Sequence, residues 1–397
     1  TTDRESCTED TLSLSNRIDA ATLIIRVVEK HFPREDAAKI AKAFFTHPET
    51  TLYKGIEYNP SGTTDGFLNL WRGPTLVPRE GDWSIIKAFL LDDICNGDEK
   101  ACGYLIQFLA HALQKPEDKP GVMIILIGGQ GTGKGTVGRI LQKMWGPSYL
   151  QVHNMKSVTG NFNGALEQAY IVFLDEALFV GDRSATNALK SLVTEPRIEI
   201  NQKHQPARQI GSHHRFFAAT NATHMKHTEK DDRRDFVLRV SEAHKGDLAY
   251  WQKLYYAIEN GAVGAMMHDL LEMDLSGFNV REKPATPELL VQKLSSLDPI
   301  PRWWFNYLQT YESDAAKWSD FIATEDAIEV VVNSGARIYQ KPSPIEFNAA
   351  MRELCPSAKK VQRKGQYSRQ RGLALPPLDQ CREEFEAYLG SKIDWTE

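Results

Sequence analysis

Several features that would assign a function class at once are scarce in this sequence of 397 residues. It has five cysteines and no CxxC pair, which argues against a disulfide framework and predicts free thiols in a reducing cytoplasm. The longest apolar run near the middle, Val122–Ile127, is far shorter than the roughly 20 residues that cross a bilayer, so we expect no membrane partner. Positive charge is not in excess either. The 47 Lys and Arg against 52 Asp and Glu give a net charge of −5, which excludes a uniformly basic nucleic-acid coat but not a local basic patch.

The N-terminal residues 1–5 carry no apolar segment and no initiator Met, so we expect no signal peptide and a chain that is either processed or a fragment. Composition is that of a globular protein, with 42% apolar and 25% charged residues. The periodicity predicts three regions: a mostly helical N-terminal region (1–118), a central region (119–283) and a helical C-terminal region with a few strands (284–397).

The central region has the pattern of an α/β fold with a parallel sheet. Val122–Ile127, Tyr170–Leu174 and Arg215–Ala219 are short apolar runs, as buried parallel strands are, and helical periodicity lies between them. A helix is predicted for Thr136–Trp145, directly after the first strand and a glycine-rich turn.

That glycine-rich turn has the spacing of a P-loop. Glycines let backbone N–H groups surround phosphate oxygens, the following helix adds its positive end, and a lysine supplies charge for the β- and γ-phosphates. The predicted nucleotide-binding residues are Gly128, Gly129, Gln130, Gly131, Thr132, Gly133, Lys134, Gly135 and Thr136.

One position departs from the P-loop pattern. Gly135 stands where a Ser or Thr hydroxyl normally contacts Mg²⁺. Either Thr136 replaces that hydroxyl, or water and another carboxylate hold the ion. The same Gly-Lys-Gly-Thr ending occurs in adenylate kinase-like phosphotransferases, so the loop alone does not select a reaction.

Polar residues follow the second and third predicted strands. Asp175 and Glu176 end the second strand, where Asp175 is expected to hold Mg²⁺ and Glu176 to polarise the attacking water. This pair favours ATP hydrolysis over phosphotransfer, because a kinase must keep water from being activated. Asn221 ends the third strand and is a candidate γ-phosphate contact. The adjacent Arg233 and Arg234 suit an arginine finger offered to a neighbouring subunit.

The order of these motifs resembles that of a superfamily 3 helicase. Asn69–Gly73, Gly160–Asn163 and Leu375–Leu378 are similar to segments of its poxvirus-type and phage primase-associated subgroup, some members of which follow a primase–polymerase. The resemblance covers most of residues 65–390. It implies an AAA+ core, a hexameric or similar ring, movement on single-stranded or forked DNA, and a place in the helicase portion of a phage primase–polymerase in the infected host's cytoplasm.

Two segments are candidate DNA contacts. Ile198 and Ile200 alternate with polar residues as in a half-exposed strand, and Lys203 and His204 follow near a turn. Helicases of the resembled family often carry such a Lys-His pair on a hairpin in the central channel. The second segment is a basic turn region between two helices, a pattern that resembles a winged-helix module. Its candidate DNA-binding residues are Lys359, Lys360, Arg363, Lys364, Tyr367 and Arg369.

These observations predict an ATP hydrolase that uses Mg²⁺ and drives a ring along DNA. Two alternatives stay open at this point. One is a nucleoside monophosphate kinase, which the Gly-Lys-Gly-Thr ending favours. The other is a DNA-binding module that uses ATP only to assemble. A cluster of histidines between residues 204 and 227 matches no common zinc spacing, so we expect no metal there.

Overall fold

The computed structural model describes residues 17–176, 183–203, 206–221, 234–295, 297–311, 318–333, 341–364 and 369–395. Contacts between Cα atoms divide the chain into two compact units, and the division falls between Arg72 and Gly73. It precedes the predicted limit at residue 118, and the limits at 118 and 283 stay predictions. None of the described helices is long and apolar enough to cross a membrane. The cysteines in the described residues are buried free thiols, namely Cys95, Cys102, Cys355 and Cys381.

The α-helices in the described residues are, in chain order, α1 (Arg17–His31), α2 (Ala37–Phe44), α3 (Ser84–Ala88), α4 (Glu99–Gln114), α5 (Lys134–Trp145), α6 (Lys156–Thr159), α7 (Arg183–Thr194), α8 (Leu248–Ala257), α9 (Val263–Glu272), α10 (Pro287–Ser295), α11 (Pro299–Gln309), α12 (Thr324–Asn333), α13 (Pro344–Leu354) and α14 (Leu378–Leu389). The strands are β1 (Gly55–Glu57), β2 (Phe67–Asn69), β3 (Met123–Ile127), β4 (Tyr149–Val152), β5 (Ile171–Asp175), β6 (Arg197–Ile200), β7 (Arg208–Gly211), β8 (Arg215–Thr220), β9 (Asp235–Arg239), β10 (Phe321–Ala323), β11 (Lys359–Lys364) and β12 (Arg369–Ala374). Short π-helical segments follow α3 and α8.

The first unit contains α1 and α2, where the sequence predicts helical structure. The Asp36 carboxylate accepts from the backbone N–H of Lys39 (3.0 Å), the N-cap that begins α2. Further along, β1 and β2 pair in parallel. Asn69 donates its side-chain N–H to the Asn59 carbonyl (2.7 Å) and accepts from the Asn59 N–H (3.0 Å). This double contact holds the loop between the two strands.

The second unit is built around a five-stranded sheet in the order β4-β5-β8-β3-β9, with every pair of neighbours parallel. The three predicted strands are confirmed as β3, β5 and β8, within one residue at each end. Every residue of β3 and β8 is buried, as strands covered on both faces must be. The α/β class with a parallel sheet is therefore confirmed.

Strand register brings three strand ends to one edge of this sheet. Ile127 at the end of β3 pairs with Thr220 at the end of β8. Asp175 at the end of β5 pairs with Ala219 of β8. Because carboxyl ends of parallel strands share one edge, the segments that follow them lie side by side.

Aromatic side chains of α4 cover one face of the sheet. The centre of the Tyr104 ring lies 4.6 Å from the centre of the Phe236 ring in β9. The centres of the Phe108 ring and of the Phe217 ring in β8 are 5.8 Å apart. The Tyr104 hydroxyl also donates to the Val280 carbonyl (2.6 Å). On the other face, α7, β6 and β7 contribute buried apolar side chains, including Leu189, Leu192, Ile198 and Ile210.

A fully buried arginine ties α4 to the sheet. Arg215, the first residue of β8, is 0% exposed. Its guanidinium donates to the Tyr170 hydroxyl (2.5 Å) and to the carbonyls of Lys115 (2.9 Å) and Asp118 (3.1 Å). Buried carbonyls need donors, so Arg215 holds the turn after α4 against the amino end of the sheet.

The last five helices pack around an antiparallel sheet of order β10-β12-β11. The predicted helices before and after the basic segment are α13 and α14. Between them the predicted basic turn region is instead mostly a hairpin, in which Lys364 pairs with Arg369. Exposed basic side chains along both strands conceal the alternation that would have indicated them. The core of this part includes Trp304, Val331, Phe347 and Phe385.

Helix α10 joins this C-terminal part to the parallel sheet. Leu289 belongs to the same buried apolar cluster as residues of β3 and β5. Glu288 accepts from Arg239 of β9 (3.3 Å). On the other side, the buried Lys293 ammonium donates to the Leu389 carbonyl at the end of α14 (2.8 Å).

Replacing Arg215 tests its structural role. Arg215→Met keeps much of the volume but leaves buried carbonyls without donors, so we expect the free energy of unfolding to fall by about 3 kcal/mol. Arg239→Met is the matched control, since Arg239 is half-exposed and makes one surface ion pair. Its expected loss is below about 1 kcal/mol. Urea unfolding of both variants measures the difference, and equal losses would contradict the assignment.

Candidate functional site

The phosphate loop is the turn that joins β3 to α5, and its backbone requires glycine. Gly131 and Gly133 have φ angles of +78° and +95°, in the left-handed region that glycine adopts without strain. A Cβ atom at Gly133 would also lie 2.5 Å from the Trp251 ring. The loop ends at the amino terminus of α5, where free N–H groups and the helix dipole favour an anion.

Lys134 is the first residue of α5, and its side chain turns back over the loop. The ammonium donates to the carbonyls of Gly128 (2.7 Å) and Gly129 (2.6 Å) and to the Asn221 side-chain oxygen (2.8 Å). Burial lowers the pKa of Lys134, and the nearby carboxylate of Glu176 opposes that shift. The charge therefore lies where the loop and the end of β8 meet.

The two predicted carboxylates lie at the same edge of the sheet. Asp175 accepts from the Gln151 side-chain amide (2.8 Å). Glu176 has a φ of +52°, which is uncommon outside glycine and typical of functional sites. Its carboxylate accepts from the Asn221 amide N–H (2.5 Å). Asn221 thus connects the ammonium of Lys134 with the carboxylate of Glu176.

A cavity of about 450 Å³ joins these groups, within the size range of small-molecule sites. Most of the predicted nucleotide and catalytic residues line it: Gln130, Gly131, Thr132, Gly133, Lys134, Gly135, Thr136, Asp175, Glu176 and Asn221. Gly128 and Gly129 do not line the cavity, and their carbonyls accept from the Lys134 ammonium. Three lining residues were not predicted from the sequence, because nothing in the local pattern of α8 separates them from ordinary core positions: Leu248, Trp251 and Tyr255.

Oxygen donors that Mg²⁺ prefers are present in the cavity. The Asp175 carboxylate and the Thr136 hydroxyl both line it, and the latter is 3.1 Å from the Tyr255 hydroxyl. Mg²⁺ usually takes one or two carboxylates and completes its shell with phosphate oxygens and water, so this set fits the ion.

Among the described residues, no three or more His, Cys, Asp or Glu side chains come together as a metal-binding cluster. Residues 213 and 214 of the histidine-rich segment bond to backbone and Ser212 instead.

Of the two predicted arginine-finger residues, the structure describes only one. Arg233 lies outside the described residues. Arg234 directly precedes β9, and its carbonyl accepts from the N–H of Met123 at the start of β3 (2.7 Å). It therefore lies at the amino end of the sheet, a strand length of roughly 15 Å from the phosphate loop. Arg234 does not meet Lys134 within one subunit.

The predicted half-exposed strand is confirmed as β6, which pairs antiparallel with β7. Lys203 lies at the turn between them, and its ammonium is 5.5 Å from the centre of the Phe162 ring. His204 lies outside the described residues. Phe162 is 51% exposed, and the neighbouring Asn163 amide donates to the Glu199 carbonyl (2.8 Å). The segment therefore presents an aromatic ring and a cation together, and Phe162 was not singled out from the sequence.

The second predicted DNA segment is the hairpin of β11 and β12. Its basic side chains are exposed, but one of them is engaged within the protein. The Arg363 guanidinium binds both carboxylate oxygens of Asp320 (2.8 and 2.7 Å) and lies over the Phe321 ring. Tyr367 lies outside the described residues. Of the basic residues predicted to bind DNA, those that remain exposed and are not engaged in this way are Lys359, Lys360, Lys364 and Arg369.

Comparison with known proteins gives two sequence matches. Residues 126–234, which include the phosphate loop and Asn221, match the family DUF5906, described as a family of unknown function. A DNA primase-polymerase of Nitratiruptor phage NrS-1 is 28% identical over 223 residues, or 55% of this chain. The match spans 30% of that protein's length.

Solved structures of the NrS-1 C-terminal region share the fold. Its apo structure aligns with a TM-score of 0.66 and 19% identity, over 90% of each chain. The A form apo structure of the same region aligns with a TM-score of 0.65 and 18% identity, over 89% of this chain and 90% of that one. This chain is thus related in sequence to part of a phage primase-polymerase and has the fold of that protein's C-terminal region.

Proposed function

We propose that this chain is the motor of an ATP-driven DNA helicase of phage replication, with ATP hydrolysed between the subunits of a ring. The observation that carries the proposal is the convergence of Lys134, Asp175, Glu176 and Asn221 on one cavity at the carboxyl edge of a parallel sheet. Their order along the chain is that of superfamily 3 helicases of the AAA+ class. The similarity to a phage primase-polymerase supports a role in replication.

Each group has a role that follows from its position. Lys134 and the loop N–H groups bind the β- and γ-phosphates. Asp175, with either Thr136 or water as a further ligand, would hold Mg²⁺, which would neutralise charge on the phosphates. Glu176 accepts a proton from the attacking water. Asn221 orients Glu176 and contacts the γ-phosphate, since its amide already bonds both to Glu176 and to Lys134.

The missing component is a cation that stabilises the transition state. Arg234 lies at the opposite edge of the sheet from this subunit's own cavity, so it cannot supply that cation within the subunit. In the head-to-tail ring that we propose, the amino edge of one sheet faces the carboxyl edge of the next, so that a neighbour's Arg233 or Arg234 completes the site. A hexamer is the ring that the resemblance implies.

DNA contact is proposed at two places. In the channel, Lys203 neutralises a phosphate, the exposed Phe162 ring stacks on a base, and His204 adds a contact. Outside it, Lys359, Lys360, Lys364 and Arg369 of the β11–β12 hairpin bind the backbone of single-stranded or forked DNA, as in a winged-helix module. The NrS-1 relative further suggests a covalently linked primase–polymerase part and action in the cytoplasm of the infected bacterium.

Loss of the proposed general base tests the hydrolase. Glu176→Gln is expected to lower ATP hydrolysis by about 100-fold or more, because a positioned base contributes roughly 10²–10⁴-fold, while ATP still binds. Lys134→Ala is expected to lose binding and hydrolysis together. Glu383→Gln, an exposed position on α14, is the control. Phosphate release is measured with and without single-stranded DNA over a range of protein concentrations.

Hydrolysis that rises with DNA and with protein concentration supports a ring motor. Unchanged hydrolysis in Glu176→Gln contradicts the assigned base. Turnover indifferent to DNA and to concentration contradicts the motor, and ADP formation that requires AMP indicates a nucleoside monophosphate kinase. Assembly without any turnover indicates a DNA-binding module that ATP only assembles.

Mixing two inactive variants tests the shared site. The double variant Arg233→Ala/Arg234→Ala keeps its own cavity, and Lys134→Ala keeps its arginines. In a randomly mixed ring, about one quarter of the sites combine an intact cavity with an intact neighbouring arginine. We therefore expect an equal mixture to recover about a quarter of wild-type hydrolysis. No recovery, in mixtures shown to co-assemble, argues that the arginines act within their own subunit or not at all.

Single substitutions test the channel contact. Phe162→Ala and Lys203→Ala are each expected to weaken single-stranded DNA binding by roughly tenfold and to remove the stimulation of hydrolysis by DNA. Basal hydrolysis is expected to stay unchanged, since neither residue lines the cavity. Lys156→Ala, an exposed lysine on the nearby α6, is the control. Fluorescence anisotropy measures binding, and wild-type affinity in both variants would rule out this contact.

A further inference from the structure

The cavity at the phosphate loop has two chemically different ends. Asp175, Glu176 and Asn221 form a polar end. Leu248, Trp251 and Tyr255 of α8 form an aromatic end. The loop separates them.

The two ends flank the same few residues of α5 and its loop. On one side the Lys134 ammonium bonds to Asn221 (2.8 Å). On the other side, the Trp251 ring is so near Gly133 that a Cβ there would lie 2.5 Å away. One turn later, the Thr136 hydroxyl is 3.1 Å from that of Tyr255. A nucleotide whose γ-phosphate lies at the polar end thus has its base directed toward the aromatic end.

The aromatic end offers ring faces, and each polar side-chain group described there already has a hydrogen-bond partner within the protein. The Trp251 indole N–H donates to the His244 carbonyl (2.9 Å). The Tyr255 hydroxyl is shared with Thr136. Leu248 has no polar group. Stacking accepts any base because every base has a π-face, whereas selection between bases needs donors and acceptors at their edges.

A buried carboxylate fixes the segment that carries these rings. Asp93 is 1% exposed, and it binds His244 Nδ1 (2.8 Å) and accepts from the Tyr250 hydroxyl (2.5 Å). The His244 and Tyr250 rings stack with their centres 3.8 Å apart. Tyr250 in turn contacts Trp251 edge-on. The aromatic end is therefore set before any ligand binds.

The Tyr255 ring also contacts α5. The Arg139 guanidinium of α5 lies 5.1 Å from its centre. Arg139 and Lys143 both bind Glu259 (2.8 and 2.5 Å), just after α8. These contacts link α5 to Tyr255 and to the segment that follows α8.

We propose that Trp251 and Tyr255 form the nucleobase subsite of this cavity and hold the base by stacking, without reading its edge. The subsite rests on the proposed nucleotide-binding function and adds the substrate class. Adenine and guanine nucleoside triphosphates are bound with similar affinity, and the chain hydrolyses either one.

Calorimetric titration with three probes tests the subsite: ATP, GTP and inorganic tripolyphosphate, each with Mg²⁺. Tripolyphosphate has the phosphates but no base. The wild type is expected to bind ATP and GTP within about threefold of each other. Trp251→Ala is expected to weaken both by about tenfold or more, and to leave tripolyphosphate within about twofold. Trp251→Phe keeps a stacking ring and is expected to retain most of the affinity.

Matched variants separate the possible failures. Tyr256→Ala removes an exposed tyrosine of the same helix that does not line the cavity, and no probe is expected to respond. Lys134→Ala is expected to weaken the binding of all three probes, which tests phosphate binding alone.

If Trp251→Ala weakens tripolyphosphate binding as much as ATP binding, the Trp251 ring only supports the loop and the subsite is wrong. A more than tenfold preference for ATP over GTP also overturns it, while phosphate binding stands. Failure of the wild type to bind any probe contradicts the proposed function and the subsite together.

Discussion

The parallel direction of β3, β5 and β8 is the constraint on which this molecule's chemistry depends. Hydrogen bonds between these strands fix Ile127 beside Thr220 and Asp175 beside Ala219. Three segments far apart in the chain therefore turn at one edge. Every polar group of the cavity, except those of α8, is placed by that register. A slip of one residue in β8 would exchange its two faces and move Asn221 away from both of its partners.

Asn221 has an electrostatic role at that edge. An ammonium and a carboxylate in direct contact would neutralise each other, and in the proposed mechanism that contact would leave the lysine less available to phosphates and the glutamate a poorer base. The amide of Asn221 lies between them, accepting from Lys134 and donating to Glu176. The left-handed backbone of Glu176 is the local cost of bringing that carboxylate back toward β8.

Local sequence signals could predict the strands, the phosphate loop and the acids, since each is a short pattern of hydrophobic burial followed by a turn. Trp251 could not be predicted, because its contact with Gly133 depends on how α8 packs. The position of Arg234 follows from β9 running parallel to β3, which local periodicity does not reveal. The pairing of Lys203 with Phe162 depends in the same way on tertiary structure. In the basic hairpin, most positions are exposed and many are charged, so the sequence lacks the alternation of apolar and polar residues that indicates a strand.

Helix α10 has a mechanical consequence. One of its faces is part of the core of the parallel sheet, through Leu289, and its Lys293 is bonded to the end of α14. Burial on both sides makes a stiff coupling, since side chains in a close-packed core cannot slide without losing contacts. The C-terminal helices and their basic hairpin are therefore expected to move together with the parallel sheet as one rigid part. A small rotation at the edge of the sheet that carries Asp175 and Asn221 would therefore become a larger displacement at the far end of the C-terminal part.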